Sequence, residues 1–271
     1  LAAKHSGRVS LEIALPCAKS LIEETTAIAS DMKAAGFTPD AVIVSPAIDR
    51  QSTPPGSEWP PCPPLEDVYA AARAAFPNVR LGGGMLSYFT ELNRKRIPGD
   101  LLDFVTHCTN PIVHAADDLS VMQTLEALPF ITRSVRAIYG DKPYRIGPST
   151  IPMRQNPYGS RTMENPNGKR IAMANRDPRH NGKFAESFAL AYAISVLNAG
   201  LDSLTLSALT GPFGLIADEN EPIAFGNKRP LFNAVKALAQ LAGKNFRLCQ
   251  SSRPSDVLAM AVEDQTIWLV N

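Results

Sequence analysis

The sequence has little that points to a metal centre, a membrane or a nucleic acid. The four cysteines are scattered and form no C-x-x-C pair, so a zinc site or a disulfide framework is poorly supported. No apolar run approaches the roughly 20 residues that a bilayer span needs. The 27 basic and 26 acidic residues leave a net charge of +1, which gives no electrostatic reason to expect nucleic acid or an anionic membrane as partner. We expect reduced thiols, a cytoplasmic location and no cofactor.

Several signatures of enzyme chemistry are also missing. There is no G-x-S-x-G elbow, no H-E-x-x-H pair and no P-loop. His107, His114 and Asp117 could ligate a metal, but their spacing is not a strong metal signature, and we expect none. The glycines Gly82 to Gly84 lack the dinucleotide-binding spacing. Two interpretations of them stay open: the backbone turns or approaches a ligand there, or a barrel strand needs small residues to pack.

What the sequence does have is a repeated alternation of apolar runs and helical segments. The predicted strands are Val9–Leu15, Ala41–Ser45, Val79–Leu81, Leu102–Thr106, Tyr144–Gly147, Ser203–Leu206 and, unless it only ends a loop, Arg170–Ala174. The predicted helices are Ser20–Ala35, Leu65–Phe76, Ser120–Gly140 (one helix or a pair broken near Pro129), Phe184–Ala199 and Arg229–Ala242. This alternation argues for a parallel sheet wrapped by helices. Polar clusters follow at least four strands, which favours a closed (β/α)8 TIM-type barrel over an open sheet.

Both ends of the sequence look cut. Leu1–Lys4 resemble the tail of a helix, and Val257–Val262 and Thr266–Asn271 resemble a hairpin around Glu263-Asp264-Gln265. A lone hairpin is marginal in water, so we expect more strands to follow it. We therefore predict a barrel domain at residues 1–245 that is truncated at its N-terminus. Residues 246–271 would begin a C-terminal β-sandwich, a β-rich module of a longer protein.

Reactive side chains gather just after two of the predicted strands. In a parallel α/β enzyme the active site lies at the C-terminal ends of the strands. Carboxylates and imidazoles there can act as general acids and bases. The catalytic candidates are Glu91, His107, His114, Asp117 and Asp118. Asp118 could instead be only a helix N-cap. Candidates for binding hydroxyls or a carboxylate are Tyr88, Asn93, Arg94, Arg154, Tyr158 and Arg179, although surface ion pairing is the commoner fate of an arginine.

Four segments carry a resemblance to a known family. They are GGGMLSYFTELNR (Gly82–Arg94), IVHAADD (Ile112–Asp118), YRIGPSTIPMRQNPYG (Tyr144–Gly159) and NRDPRHNGKFAESFALAY (Asn175–Tyr192), and they resemble the D-apionate lactonase family. The resemblance covers most of residues 8–271. It implies a central (β/α)8 barrel related to clan A glycoside hydrolases and flanked by β-sandwich modules. It also implies bacterial hydrolysis of the lactone of oxidised apiose, a branched plant sugar.

The carboxylates favour lactone opening over glycoside cleavage. Clan A glycosidases place an Asn-Glu pair after one strand and a second Glu after a later one. Here Thr90 precedes Glu91, and Ser203–Gly214 contains no carboxylate. A retaining glycosidase needs two carboxyl groups about 5 Å apart, whereas lactone opening needs one base, an oxyanion donor and hydroxyl-binding groups. We expect a hydrolase acting on a small sugar lactone. A glycosidase on the same barrel and a non-catalytic carbohydrate-binding barrel remain the alternatives.

Overall fold

The chain forms two compact units in a computed structural model. The structure describes residues 7–159, 161–219, 221–263 and 266–271. The first unit contains residues 1–108, 135–147 and 155–160, and the second contains residues 109–134, 148–154 and 161–271. The predicted helix tail at Leu1–Lys4 and the predicted turn residues Asp264 and Gln265 lie outside the described residues.

The first unit is built on parallel strands that follow one another in chain order. They are β1 (Ser10–Leu15), β2 (Ala41–Pro46), β3 (Arg80–Tyr88), β4 (Phe104–Cys108) and β5 (Tyr144–Ile146). Helix α1 (Leu21–Ala34) connects β1 to β2, α2 (Leu65–Ala75) connects β2 to β3, and the short α3 (Phe89–Arg94) follows β3. The predicted alternation of parallel strands and helices is confirmed in this unit.

Strand β2 pairs with β1 and β3, and all six of its residues are buried. Ala41 and Ile43 form a core cluster with Leu86 of β3 and Phe104 of β4. Strands of a parallel sheet are covered on both faces, which is why β2 is a continuous apolar run without alternation. Apolar contacts between these strands therefore support the segments that follow β2, β3 and β4.

The three glycines lie within β3, which continues through them to Tyr88. A Cβ atom at Gly82 would lie 2.2 Å from the Phe104 ring, and one at Gly84 would lie 1.9 Å from the carbonyl oxygen of Thr106. Gly84 also has a φ of +140°, which L side chains rarely adopt. Of the two interpretations, close packing inside the sheet is therefore the one that the structure supports.

The second unit contains helices and a small antiparallel sheet. Its elements are α4 (Asp118–Gln123), the first half of α5 (Leu128–Tyr139), α6 (Lys183–Ser195), the two-residue β6 (Ser203–Leu204), α7 (Leu231–Gln240), β7 (Phe246–Leu248), β8 (Leu258–Val262) and β9 (Ile267–Val270). The last three strands pair in the order β7-β8-β9, so the predicted hairpin exists and β7 adds a strand to it. Arg170–Ala174 forms no strand, only a bridge from Ala174 to Met163, as its alternative interpretation held. The division between residues 245 and 246 stays a prediction.

Candidate active site

Glu91 lies directly after β3, in the first turn of the six-residue helix α3. The residue is 2% exposed, and its Oε1 lies 3.7 Å from Nη1 of Arg94, one turn along the helix. Its Oε2 is buried and accepts no hydrogen bond from any described residue. Leaving a buried acceptor unpaired costs about 1–3 kcal/mol, so such groups are rare and call for a reason. Glu91 Oε2 is thus a buried acceptor that no described residue of the protein satisfies.

Neighbouring loops of the first unit hold the α3 segment in place. Nη1 of Arg94 donates to Oγ of Ser52 at 2.9 Å and to the carbonyl oxygen of Thr53 at 3.2 Å. The hydroxyl of Tyr88 donates to the carbonyl oxygen of Gln155 at 2.9 Å. These contacts fix the backbone on both sides of Glu91. Asn93 and Tyr158, the two other binding candidates of this unit, are exposed.

His107 lies inside β4, where the sequence placed it just past the strand. Its imidazole is fully buried, with Nδ1 2.9 Å from the carbonyl oxygen of Cys108 and Nε2 2.6 Å from the hydroxyl of Tyr144. A carbonyl can only accept, so we assign the proton to Nδ1, and Nε2 accepts from Tyr144. Burial lowers the pKa of His107 to about 4, although the bond to Cys108 opposes the shift. The imidazole is therefore neutral at pH 7, and both of its nitrogens are engaged.

In the second unit, Asp117 and Asp118 have different partners. Asp117 is the N-cap of α4, because its Oδ1 accepts from the amide of Ser120 at 2.9 Å, and this bonding lowers the pKa of the exposed carboxyl. Asp118 is the first helical residue, and its two oxygens accept from Arg170 at 2.7 Å and Arg179 at 3.2 Å. The alternative interpretation of Asp118 as only a helix N-cap is wrong by one residue, since the extended backbone that a cap requires occurs at Asp117.

Arg179 is buried, and its guanidinium group binds two carboxylates of the second unit. Its Nε and Nη2 donate to the two oxygens of Asp177 at 2.8 and 2.7 Å, which is the paired geometry typical of an arginine–carboxylate ion pair. Its Nη1 bonds to Asp118. His114 is exposed and Arg154 is half-buried. The functional roles predicted for these residues stay predictions.

Two residues that the sequence interpretation missed also present buried acceptors in the first unit. Asp49, in the 3₁₀ turn after β2, is 5% exposed; its Oδ1 accepts from Nζ of Lys95 at 2.7 Å. Burial raises the pKa of Asp49, and Lys95 opposes the shift. Gln155 donates through Nε2 to the carbonyl oxygen of Leu86 at 2.6 Å. The sequence signal for Asp49 was its position just past a strand, although a proline-rich loop follows it directly.

The described part of the chain contains cavities but no cluster of side chains typical of a metal site. No group of three or more histidine, cysteine or acidic residues is arranged to hold a metal ion there. Two cavities, of about 570 and 440 Å³, lie in the second unit against α6 and the β7-β8-β9 sheet, and none of the predicted site residues lines them. No helix among the described residues is long and apolar enough to cross a membrane.

Parallel strands that alternate with helices, with acidic side chains directly after β2 and β3, are typical of an α/β barrel-type domain. Residues 1–243 match the family model described as "D-apionate lactonase, TIM barrel domain". The chain therefore belongs to this family. The predicted fold class, a (β/α)8 TIM-type barrel, and the predicted family are confirmed.

Individual proteins are similar to this chain to different degrees. A curated D-apionate lactonase from Brucella anthropi is 86% identical over 271 residues, which is 100% of this chain and 44% of that protein. The chain thus spans less than half the length of this relative. A family 39 glycoside hydrolase from Bacteroides cellulosilyticus WH2 is 12% identical, with 93% of this chain and 51% of the other covered at a TM-score of 0.49. A Rhizomucor miehei β-1,3-glucanosyltransferase is 16% identical, with 79% of this chain and 73% of the other covered at a TM-score of 0.48.

Proposed function

We propose that this chain is the barrel domain of a hydrolase that opens a sugar-acid lactone, converting D-apionolactone to D-apionate. The observation that carries the proposal is the 86% identity, over the whole chain, with the Brucella anthropi D-apionate lactonase. At that identity the side chains that do the chemistry within the barrel are expected to be shared. The substrate is a small carbohydrate-type molecule, and we propose a cytoplasmic location for the reaction.

Glu91 is the general base that the geometry supports best. Hydrolysis joins the oxygen of water to the carbonyl carbon, breaks the bond from that carbon to the ring oxygen and leaves the ring oxygen with a proton. Glu91 Oε2 can take a proton from the attacking water and, as a carboxylic acid, pass it to the departing ring oxygen. The oxygen is buried and has no donor among the described residues, while Oε1 faces Arg94 at 3.7 Å. The ion pair therefore leaves Oε2 as the oxygen that meets the substrate.

The other predicted residues support this assignment to different extents. Tyr88, Asn93, Arg94 and Tyr158 belong to the same unit as Glu91, and we propose that they contact the hydroxyls or the product carboxylate. His107 has both nitrogens occupied. We therefore propose a structural role for His107, which supports the segment that carries Glu91 through its contacts with Tyr144 and Phe89. The ring centroids of His107 and Phe89 are 5.6 Å apart. Acid or polarising roles for His107 or His114, a catalytic role for Asp117 and Asp118, and binding roles for Arg154 and Arg179 stay predictions.

The test is turnover of a substrate panel by the complete protein. We expect hydrolysis of D-apionolactone and slower or no hydrolysis of aryl glycosides. Glu91→Gln keeps the size of the side chain but removes its basicity, so kcat should fall by about 10²- to 10⁴-fold, the usual contribution of a general base. The matched control is Glu66→Gln, an exposed carboxylate on α2 of the same unit, which should retain full activity.

Two outcomes would contradict the proposal. Faster cleavage of aryl glycosides than of lactones would replace the lactonase with a glycosidase. Unchanged lactone hydrolysis in a folded Glu91→Gln variant would remove Glu91 from the chemistry. Circular dichroism and the thermal unfolding midpoint of each variant separate a loss of chemistry from a loss of fold.

A further inference from the structure

Besides the hydroxyls of Ser45 and Tyr69, three buried acceptor oxygens in the first unit have no hydrogen-bond donor among the described residues. They are Oδ2 of Asp49, Oε2 of Glu91 and Oε1 of Gln155. Asp49 and Glu91 are 5% and 2% exposed, so solvent does not reach their side chains freely. Each unpaired oxygen belongs to a carboxylate or a carboxamide and can only accept. A ligand that satisfied all three would have to bring hydrogen-bond donors.

Hydrogen bonds link Asp49 and Gln155 to one short stretch of the chain, residues 86–95, which also contains Glu91. Gln155 is held through its side chain and its backbone. Its Nε2 donates to the backbone carbonyl oxygen of Leu86, and its backbone carbonyl oxygen accepts from the hydroxyl of Tyr88. The backbone of Asp49 is tied through Ser87, whose Oγ donates to the Asp49 carbonyl oxygen at 3.0 Å. Glu91 itself lies on this stretch. Asp49, Glu91 and Gln155 are therefore all linked to the C-terminal end of β3 or the segment that follows it.

Each of the three residues is also held by its other polar atom. Oδ1 of Asp49 accepts from Lys95 at 2.7 Å, and Oε1 of Glu91 lies 3.7 Å from Arg94. Nε2 of Gln155 donates to Leu86 at 2.6 Å. One polar atom of each side chain is thus anchored by the protein, and the other is left without a partner. Acceptors fixed in this way bind donors with little loss of side-chain entropy.

The charges of the cluster favour a neutral ligand over a cation. Each carboxylate already faces a cation, Lys95 for Asp49 and Arg94 for Glu91, so no unbalanced negative charge remains to attract a metal ion. No metal-binding group was found among the described residues either. Hydroxyl groups are neutral donors that match an acceptor-only cluster.

We propose that Asp49 and Gln155 bind the hydroxyl groups of a polyhydroxylated ligand, the sugar lactone or its sugar acid, while the third acceptor, Glu91, serves the attacking water. The identity of the ligand rests on the proposed function, whereas the site rests on the three acceptors. Asp49 and Gln155 are substrate-binding residues that distinguish a hydroxylated lactone from a plain one. A site built to bond hydroxyls rejects a ligand without them, because its polar groups then stay unpaired.

The experiment compares two lactones in variants of the complete protein. Asp49→Asn replaces a charged acceptor with an amide, and Gln155→Met removes the carboxamide while keeping a long unbranched side chain. The substrates are D-apionolactone and an unsubstituted lactone of the same ring size. We expect each variant to lower kcat/KM for D-apionolactone by about 10- to 100-fold, the worth of a hydrogen bond to a charged or buried polar group, mostly through KM. For the unsubstituted lactone, kcat/KM should change less than about twofold on the same grounds.

A control variant and a binding measurement make the result decisive. Asp67→Asn removes an exposed carboxylate of α2 and should leave both substrates unaffected. Calorimetric titration with D-apionate should show binding that weakens in Asp49→Asn and Gln155→Met but not in Asp67→Asn. If the complete protein opens no lactone, the proposed function fails, and this titration still decides the site. Equal losses on both lactones, or unchanged D-apionate binding in both variants, would overturn the hydroxyl-binding assignment.

Discussion

Acidification should destabilise the first unit because His107 is buried in its neutral form. Burial lowers the pKa of the imidazole from 6.5 to about 4 in the folded state. Between these values the unfolded chain binds a proton that the folded chain does not bind. Stability is therefore fully present above pH 6.5 and falls as the pH drops toward 4. At about 1.4 kcal/mol per pKa unit, the shift corresponds to about 3 kcal/mol, a large part of a typical folding free energy.

The assay is urea unfolding at a series of pH values from 4 to 8, for the wild type and for His107→Asn. Asparagine does not titrate, and its amide can replace the Nδ1 donor to the Cys108 carbonyl oxygen. The free energy of unfolding should decline less in the variant, by about 3 kcal/mol over the range, whatever its stability at pH 8. Val105→Ala, a buried neighbour in β4, serves as a control that lowers stability without changing the pH dependence.

Parallel stability curves for wild type and His107→Asn would refute this reasoning, because they would mean that His107 titrates equally in both states. His180 of the second unit has its pKa lowered to about 4, chiefly by burial, with Nε2 3.0 Å from the Gly214 carbonyl oxygen. Its contribution has the same sign and remains in both proteins. The difference between the curves therefore isolates His107.

Two substitutions test the packing and capping assignments. Gly84→Ala should lower the thermal unfolding midpoint by more than about 10 °C or prevent folding, since the added Cβ would lie 1.9 Å from the Thr106 oxygen. Gly36→Ala, also at positive φ but with no atom within 4 Å of the added Cβ, should cost only the backbone strain of about 1–2 kcal/mol, and equal midpoints would contradict the packing argument. Asp117→Ala should cost about 1 kcal/mol in chemical denaturation because α4 loses its N-cap, and Asp117→Ser should recover most of it. A fully stable alanine variant would rule out the cap.

The sequence predicted what depends on local pattern. β2 is a continuous apolar run because it is buried on both faces, and that property is visible in five consecutive letters. The alternation of strands and helices followed from similar runs. Polar residues after strands led to Glu91, which the structure places directly after β3. These features can be predicted without knowing which distant residues each segment contacts.

What the sequence could not predict depends on partners far along the chain. The role of Gly82 to Gly84 is decided by Phe104 and Thr106 on the neighbouring strand. Asp49 becomes a candidate only because Lys95, 46 residues away, holds one of its oxygens and leaves the other unpaired. His107 was predicted as an acid near neutrality, and its low pKa comes from burial that no local pattern revealed.

The central claim, that the unpaired oxygen of Glu91 activates water, is tested most directly by rescue of Glu91→Ala with formate. Deleting the carboxylate should reduce the kcat for D-apionolactone by about 10²- to 10⁴-fold. Added formate should restore part of the rate in proportion to its concentration, and it should leave the wild type and Glu66→Ala unaffected. Wild-type turnover by Glu91→Ala in the absence of formate would contradict the account.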